Sequence, residues 1–226
     1  MSHPFVDRLE DLRNRLARMT ALVQQAVERA VQAVLEGDAS LARQVIDGDA
    51  RIDELEVQIE KQAIDLLALY QPAAGDLRLI TVVIKVNSDF ERIADCAVNV
   101  AQRALPLAHE KGTAAAVTSH QVPTDLRVMA TGVIATLRDT IKAFNLSDEP
   151  LAHKLLKGDD VVDALYHQIV QDTLAEMQND SHGANTDLST IMIAKNLERI
   201  ADHCVNIAED VVYVQSGRII RHSHAV

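Results

Sequence analysis

Polar side chains recur at one-turn spacing in two distant parts of the chain. At about 100° of helical rotation per residue, positions i, i+4, i+8 and i+11 form one narrow stripe. Its members are Glu198, Asp202, Asn206 and Glu209 in one copy and Glu91, Asp95, Asn99 and Gln102 in the other. Carboxylate and amide oxygens are the ligands that hard cations prefer. The stripes therefore indicate two candidate metal-binding faces.

Two further acidic pairs lie beside rows of apolar residues, which we call the apolar seams. These pairs are Asp49 with Asp53 and Asp159 with Asp163. Short connections make each of these segments the antiparallel neighbour of a stripe. In an antiparallel helix pair, side chains that lie on the same rotational side of each apolar row face each other. Asp49 and Asp53 should therefore converge on Glu91 and Asp95. Asp159 and Asp163 should converge on Glu198 and Asp202. All eight are predicted metal ligands.

Four carboxylates in one groove repel each other unless a cation or a proton neutralises them. We therefore expect a divalent ion or a multinuclear metal cluster, with Mg, Mn, Ca, Fe and Zn all open. The alternative is a solvated acidic face, helped by Arg92 and Arg199. The duplication favours the metal, because an accidental acidic pair would not recur with the same convergence.

The elements that must position these acids are helices. Apolar residues repeat at alternating spacings of three and four, and breakers separate six predicted helices at 4–36, 38–70, 76–110, 122–145, 148–180 and 185–216. The predicted fold is all-α, a tandem repeat of two three-helix bundles packed side by side. Gly48 and Gly158 lie on the seams, which predicts close helix approach beside the acids.

The two halves are copies of each other. Residues 91–95 and 198–202 both read ERIAD, and eight of twelve residues agree between 90–101 and 197–208. Predicted boundaries are 1–112 for the first repeat, 113–121 for a linker, 122–217 for the second repeat and 218–226 for a C-terminal tail.

Composition excludes several functions. The net charge of −11 disfavours nucleic acid as a partner. There is no phosphate-binding glycine loop, secretory signal or membrane-length apolar run, which predicts a cytoplasmic protein with Cys96 and Cys204 as reduced core residues. We expect no enzyme, because no Glu-x-x-His pair of a ferritin-like oxidase and no nucleophile elbow occurs. Two alternatives stay open, a carboxylate-bridged metal-binding helical protein of ferritin-like type and a purely structural helical adaptor. His203 is interpreted as a surface residue.

The sequence around both stripes resembles the PhoU family. The duplicated motif of that family has the form LERIADHxxNIAE, which residues 197–209 match almost throughout, while the first copy has Phe90 for Leu and Cys96 for His. The segments 75–78 and 217–222 also resemble the family. Membership implies two three-helix bundles that bind metal ions or clusters at Glu91/Asp95 and Glu198/Asp202, joined by Asp49/Asp53 and Asp159/Asp163.

The resemblance also implies a role and partners. The family negatively regulates phosphate uptake and phosphate-starvation signalling. It contacts the ATPase subunit of the phosphate ABC transporter (PstB-like) and a sensor histidine kinase (PhoR-like), and it is peripheral to the membrane only through these partners. A homodimer is expected because bundle surfaces are flat.

Overall fold

The computed structural model describes residues 4–110, 122–179, 184–218 and 220, except for the side chains of 108–110, 159 and 179. These residues form helices joined by short turns, and no strand occurs among them. The helices are α1 (Pro4–Glu36), α2 (Ala39–Tyr70), α3 (Ala74–Glu110), α4 (Thr124–Leu146), α5 (Glu149–Leu156), α6 (Asp159–Asn179) and α7 (Ala184–Ser216). The predicted linker at 113–121 lies outside the described residues.

The turn before the second helix is built in the same way in both repeats. Gly37 and Ser147 take left-handed backbone conformations, with φ of 67° and 53°. The next residue then caps a helix, because Asp38 accepts from the amide of Ser40 and Asp148 from the amide of Leu151. A side-chain oxygen at the N-cap satisfies amides that have no partner within the helix. The internal duplication therefore extends to backbone detail.

The second helix of the second repeat is divided in two, which corrects the prediction of one helix over 148–180. Helix α5 ends at Leu156 and α6 begins at Asp159, so together they take the place that α2 holds in the first repeat. The amide of Gly158 bonds to the carbonyl of Leu155 at 3.0 Å, a tight turn that leaves α-helical geometry. Glycine favours such a break because it stabilises helix interiors poorly.

Helices α3 and α7 lie at the centre and pack against each other and against the remaining helices of their own repeats. Phe90 and Ile93 from α3 and Ile200 from α7 are fully buried in one apolar cluster that runs through both repeats. The predicted all-α tandem repeat is therefore confirmed, and the two bundles, packed side by side, share one core. Cys96 and Cys204 are both buried in the core, as predicted.

Gly48 does not mark a close helix contact, so that prediction was wrong. A Cβ atom built at Gly48 meets nothing within 4 Å, and the Cβ of Gly158 meets only carbonyls of its own preceding turn. Replacing Gly48 with alanine should therefore raise the free energy of unfolding by about 0.5–1 kcal/mol, since alanine is the better helix former. Urea unfolding of the metal-free protein measures this change.

Gly217 serves as the comparison for Gly48, because a side chain does not fit at Gly217. Its φ is +70° and a Cβ there would lie 2.6 Å from Nη1 of Arg78, so Gly217→Ala should destabilise the fold. A loss of stability in Gly48→Ala would contradict the open space at that position.

None of the helices in the described part of the chain is long and apolar enough to cross a membrane.

Candidate metal centres

The first candidate centre lies between α2 and α3, where the structure brings Asp49 and Asp53 towards Glu91 and Asp95. Burial, followed by the charges of Asp53 and Asp95, raises the pKa of Asp49 to about 6. Burial, Asp95, Glu56 and Asp53 likewise raise the pKa of Glu91. These carboxylates are therefore close enough to repel each other across the helix pair, as the stripe geometry predicted.

The protonation of Asp49 links this centre to stability. Its folded pKa lies above its usual value of 3.8, so the folded state holds the proton more tightly than the unfolded chain does. The stabilisation is fully present below pH 3.8 and is lost as the pH rises through about 6. At neutral pH the centre is strained by charge, and a bound cation would relieve that strain.

Arg92 is the cation that the chain itself supplies to the first centre. Its Nε lies 3.3 Å from Oε2 of Glu91, and its Nη1 lies 3.1 Å from Oδ2 of Asp95. The arginine side chain is 54% exposed, so each ion pair contributes less than about 1 kcal/mol. Arg92 therefore offsets only part of the negative charge, at the solvent-facing end of the centre.

The second candidate centre lies between α6 and α7 and is the more compact of the two. Asp163, Glu198 and Asp202 each offer a carboxylate oxygen, and these oxygens all lie within 4.8 Å of one another. Within the described side chains this is the one such group of three acids. Asp159, the fourth predicted ligand, begins α6, but its side chain lies outside the described residues.

Sequence reasoning missed Lys195, which belongs to the second centre. Its Nζ donates to both carboxylate oxygens of Glu198, at 2.8 and 2.7 Å, and lies 5.2 Å from the ring centroid of Tyr166. The hydrogen bond to Glu198 raises the pKa of Lys195, so the ammonium stays charged. The sequence feature that could have identified Lys195 is its i, i+3 spacing from Glu198.

Sequence reasoning also missed Asn87, a buried amide at the edge of the first centre. Its Nδ2 donates to the backbone carbonyl of Glu56 at 2.9 Å, and its side chain lies one helical turn before Glu91. The residue is only 1% exposed. Its Oδ1 is buried with no hydrogen-bond partner among the described residues.

His203 is not a surface residue, which corrects the interpretation from the sequence. Its Nδ1 donates to Oδ1 of Asp89 at 2.8 Å, and only 19% of the histidine side chain is exposed. This bond joins α7 to α3 across the repeat boundary. In the repeat, Cys96 is equivalent to His203 and Asn196 is equivalent to Asp89. The duplication therefore could not have predicted this pair.

The donor set suits metal binding rather than catalysis. Both centres present carboxylate oxygens, which fit hard cations such as Mg²⁺, Mn²⁺ or Ca²⁺ and fit Zn²⁺, with its preference for nitrogen and sulfur, less well. Asn99 and Gln102 of the first stripe are exposed and lie further out, while Asn206 is half-buried. The role of the eight acids as ligands stays a prediction.

Comparison with known proteins agrees with this architecture. The PhoU domain family model matches residues 16–104 and 126–211, one match in each repeat. The "Phosphate-specific transport system accessory protein PhoU homolog" of Aquifex aeolicus is 38% identical over 96% of this chain and 95% of its own length. The Escherichia coli protein named "Phosphate-specific transport system accessory protein PhoU" is 31% identical over 98% of this chain and 89% of its own.

Solved structures show the same fold. The crystal structure of PhoU from Pseudomonas aeruginosa superposes with a TM-score of 0.88 at 36% identity, covering 95% of this chain and all of that one. PhoU from Streptococcus pneumoniae gives 0.84 at 25% identity, covering 95% and 98%. The relatives are named accessory proteins rather than enzymes, in agreement with the non-enzymatic prediction. The resemblance seen in the motifs is thereby confirmed, and the chain belongs to the PhoU family.

Proposed function

We propose that this protein is a metal-binding adaptor that restrains phosphate uptake and phosphate-starvation signalling. The observation that carries the regulatory part is the match over nearly the full length to accessory proteins of phosphate-specific transport systems. An accessory protein acts by contacting other components of its transport system. The outer surface of the two helical bundles is therefore the part that would carry the function.

The metal-binding part of the proposal is supported by the geometry of the two centres. Three carboxylate oxygens lie within 4.8 Å of one another in the second centre, and the single ammonium of Lys195, which binds Glu198, offsets only part of their mutual repulsion. Asp163, Glu198 and Asp202 would hold an ion there, and Asp49, Asp53, Glu91 and Asp95 would hold one in the first centre. A bound ion would fix α2 against α3 and α6 against α7, so it would set the shape of the surface that a partner meets.

The proposed partners are the ATPase subunit of the phosphate ABC transporter and a PhoR-like sensor histidine kinase, met at the inner face of the membrane by a cytoplasmic protein. A homodimer is also part of the proposal. Exposed apolar side chains on α2 support a protein-binding surface there: Val57 is 61% exposed and Ile64, two helical turns on, is 51% exposed.

A pull-down tests the adaptor role. Immobilised full-length protein, loaded with Mn²⁺ or treated with a chelator, is offered the purified transporter ATPase and the purified kinase domain. We expect capture of both partners by the loaded protein and at least fivefold less capture after chelation, because the unneutralised acids would push the helix pairs apart.

Two controls give the result its meaning. Heat-unfolded protein on the same resin should capture neither partner, and an unrelated ATPase should not be captured. If the folded, loaded protein binds neither partner, the regulatory proposal is wrong. Equal capture with and without metal would leave an adaptor in which metal plays no part.

A further inference from the structure

The side of α2 that faces away from the core carries a regular row of exposed residues. At about 100° of rotation per residue, this side lies opposite the buried Ile52 and Ile59. We call it the outer row, and its members are Ala50, Glu54, Val57, Lys61, Ile64 and Ala68. They follow one another at spacings of four, three, four, three and four, which is typical of a helix surface that packs against another helix. Within the described part of the chain, no helix covers it.

The outer row belongs to the first repeat alone. Val57 and Ile64 are large apolar side chains, and both are more than half exposed. The second repeat does not keep the pattern, because the break between α5 and α6 lies beside its first member. The equivalent residues there are Asp160, Ala164, His167, Gln171, Leu174 and Gln178. The duplicated acidic motifs therefore do not account for the outer row.

Two opposite charges lie on either side of Val57 in the outer row. Glu54 comes three residues before it and Lys61 four residues after it. Glu54 accepts a hydrogen bond from Nε2 of Gln58 at 3.1 Å, and among the described residues neither Glu54 nor Lys61 forms an ion pair. Opposite charges on the two sides of a centre suit a surface that binds a copy of itself, because each charge then meets its complement across a two-fold axis.

The apolar members of the row are arranged about the same centre. In an antiparallel helix pair with its two-fold axis at Val57, a residue that precedes Val57 faces the residue that lies equally far beyond it. Ala50 and Ile64 are each seven positions from Val57. The small side chain of one copy therefore faces the large side chain of the other, which is how the ridges of one helix fit the grooves of its neighbour.

We propose that a second copy of this chain binds along the outer row of α2 in antiparallel orientation, with Val57 of both copies at the two-fold axis. Glu54 of each copy pairs with Lys61 of the other, and Ala50 faces Ile64. The inference rests on the homodimer included in the proposed function, and it goes beyond that function by assigning the surface, the orientation and the pairs.

The charges beside the outer row do not decide the association. On one side, Arg51 of one copy approaches Asp65 of the other, which is favourable. On the other side, Asp53 approaches Glu60, which is unfavourable. All four side chains are exposed, so these pairs are weak and oppose each other. The row spans about 27 Å of helix, which is a small contact, so we expect the dimer to dissociate at micromolar concentrations.

Reversing either charge of the outer row tests the pairing. In Lys61→Glu the new carboxylate meets Glu54 of the second copy at two symmetric places, and in Glu54→Lys two ammonium groups meet in the same way. Full-length protein is followed by sedimentation velocity over a concentration series in the micromolar range. We expect each variant to dimerise at least tenfold more weakly than the wild type.

Mixing the two variants supplies the rescue. One chain then carries lysine at positions 54 and 61 and the other carries glutamate at both, so both pairs across the axis are attractive again. We expect the equimolar mixture to dimerise within threefold of the wild type, although each variant alone dimerises weakly. A structural defect in either variant would not be repaired by mixing two different chains.

The second repeat offers a matched control for the apolar part of the row. Ile64→Glu should weaken the dimer at least tenfold, because it buries a carboxylate against Ala50 of the second copy. Leu174→Glu makes the same change at the equivalent position of α6, where the side chain is 47% exposed, and should leave the dimer within twofold of the wild type. Circular dichroism checks that each variant keeps its helices.

The outcomes separate the two levels of the argument. If the wild type stays monomeric throughout the series, the homodimer of the proposed function and this inference are both overturned, while the pull-down of the partners still tests the adaptor role. If the wild type dimerises and Lys61→Glu, Glu54→Lys and Ile64→Glu dimerise equally well, only the outer row is overturned. Failure of the mixed variants to associate would overturn the antiparallel pairing, and so would a loss in Leu174→Glu as large as in Ile64→Glu.

Discussion

Replacing Asp95 and Asp202 together with alanine should reduce the metal bound per chain at least tenfold. Asp95 and Asp202 are equivalent residues that end the ERIAD segment in each repeat. Asp202 belongs to the group of three oxygens within 4.8 Å, and Asp95 helps to raise the pKa of Asp49. Removing one carboxylate from each centre lowers both the number of ligands and the negative charge that attracts a cation. Elemental analysis after loading with divalent cations and desalting measures the occupancy.

The control for this experiment must change the total charge without touching either centre. Asp65→Ala with Glu176→Ala removes one exposed acid from α2 and one from α6, so the net charge changes by the same amount. This control should keep the metal content of the wild type. Equal occupancy in the wild type and in the Asp95/Asp202 variant would show that the duplicated motifs are only a solvated acidic face.

Replacing Phe90 with alanine should lower the free energy of unfolding by about 3–5 kcal/mol, the range observed when large aromatic side chains are truncated in a core. Phe90 is fully buried and is the largest of the side chains that are completely excluded from solvent. It lies in α3, where the cores of the two repeats meet. Urea unfolding followed by circular dichroism, in the presence of a chelator, measures the loss.

The internal repeat provides the matched control for Phe90. The equivalent residue is Leu197, which is also buried, so Phe90→Leu copies a choice that this fold already accepts. It should cost less than about 1.5 kcal/mol, because most of the apolar volume is retained. Leu69→Ala, at a side chain 66% exposed, should change stability by no more than about 0.5 kcal/mol. A loss below about 1 kcal/mol in Phe90→Ala would contradict the shared core.

The two centres illustrate how duplication and divergence act together. The acids on α3 and α7 are the same in both repeats, so each centre keeps the carboxylates that the metal-binding proposal requires. The neighbouring basic side chains differ, because Arg92 contacts Glu91 and Asp95 in one centre while Lys195 contacts Glu198 in the other. Equal motifs therefore do not imply equal affinity, and each centre requires its own measurement.

The sequence by itself determined the helices and the acidic stripes. These features depend on local periodicity and on single residues such as Asp38 and Asp148, whose side chains bond to amides two or three positions away. The convergence of α2 on α3 also followed, because a short connection leaves an antiparallel pair few alternatives. The repeat then predicted the second centre from the first.

Only the tertiary structure decided which groups meet across different helices. Asn87 bonds to the carbonyl of Glu56 and His203 bonds to Asp89, and both contacts depend on how helix axes cross rather than on spacing within one helix. The sequence also did not predict the break at Gly158 or the core common to both repeats. Helix periodicity specifies which face of a helix is buried but not which element covers it. Lys195 has the i, i+3 spacing that lets it reach Glu198, but the sequence does not say whether its ammonium binds that carboxylate or faces solvent. The packing of α7 on α6 decides this.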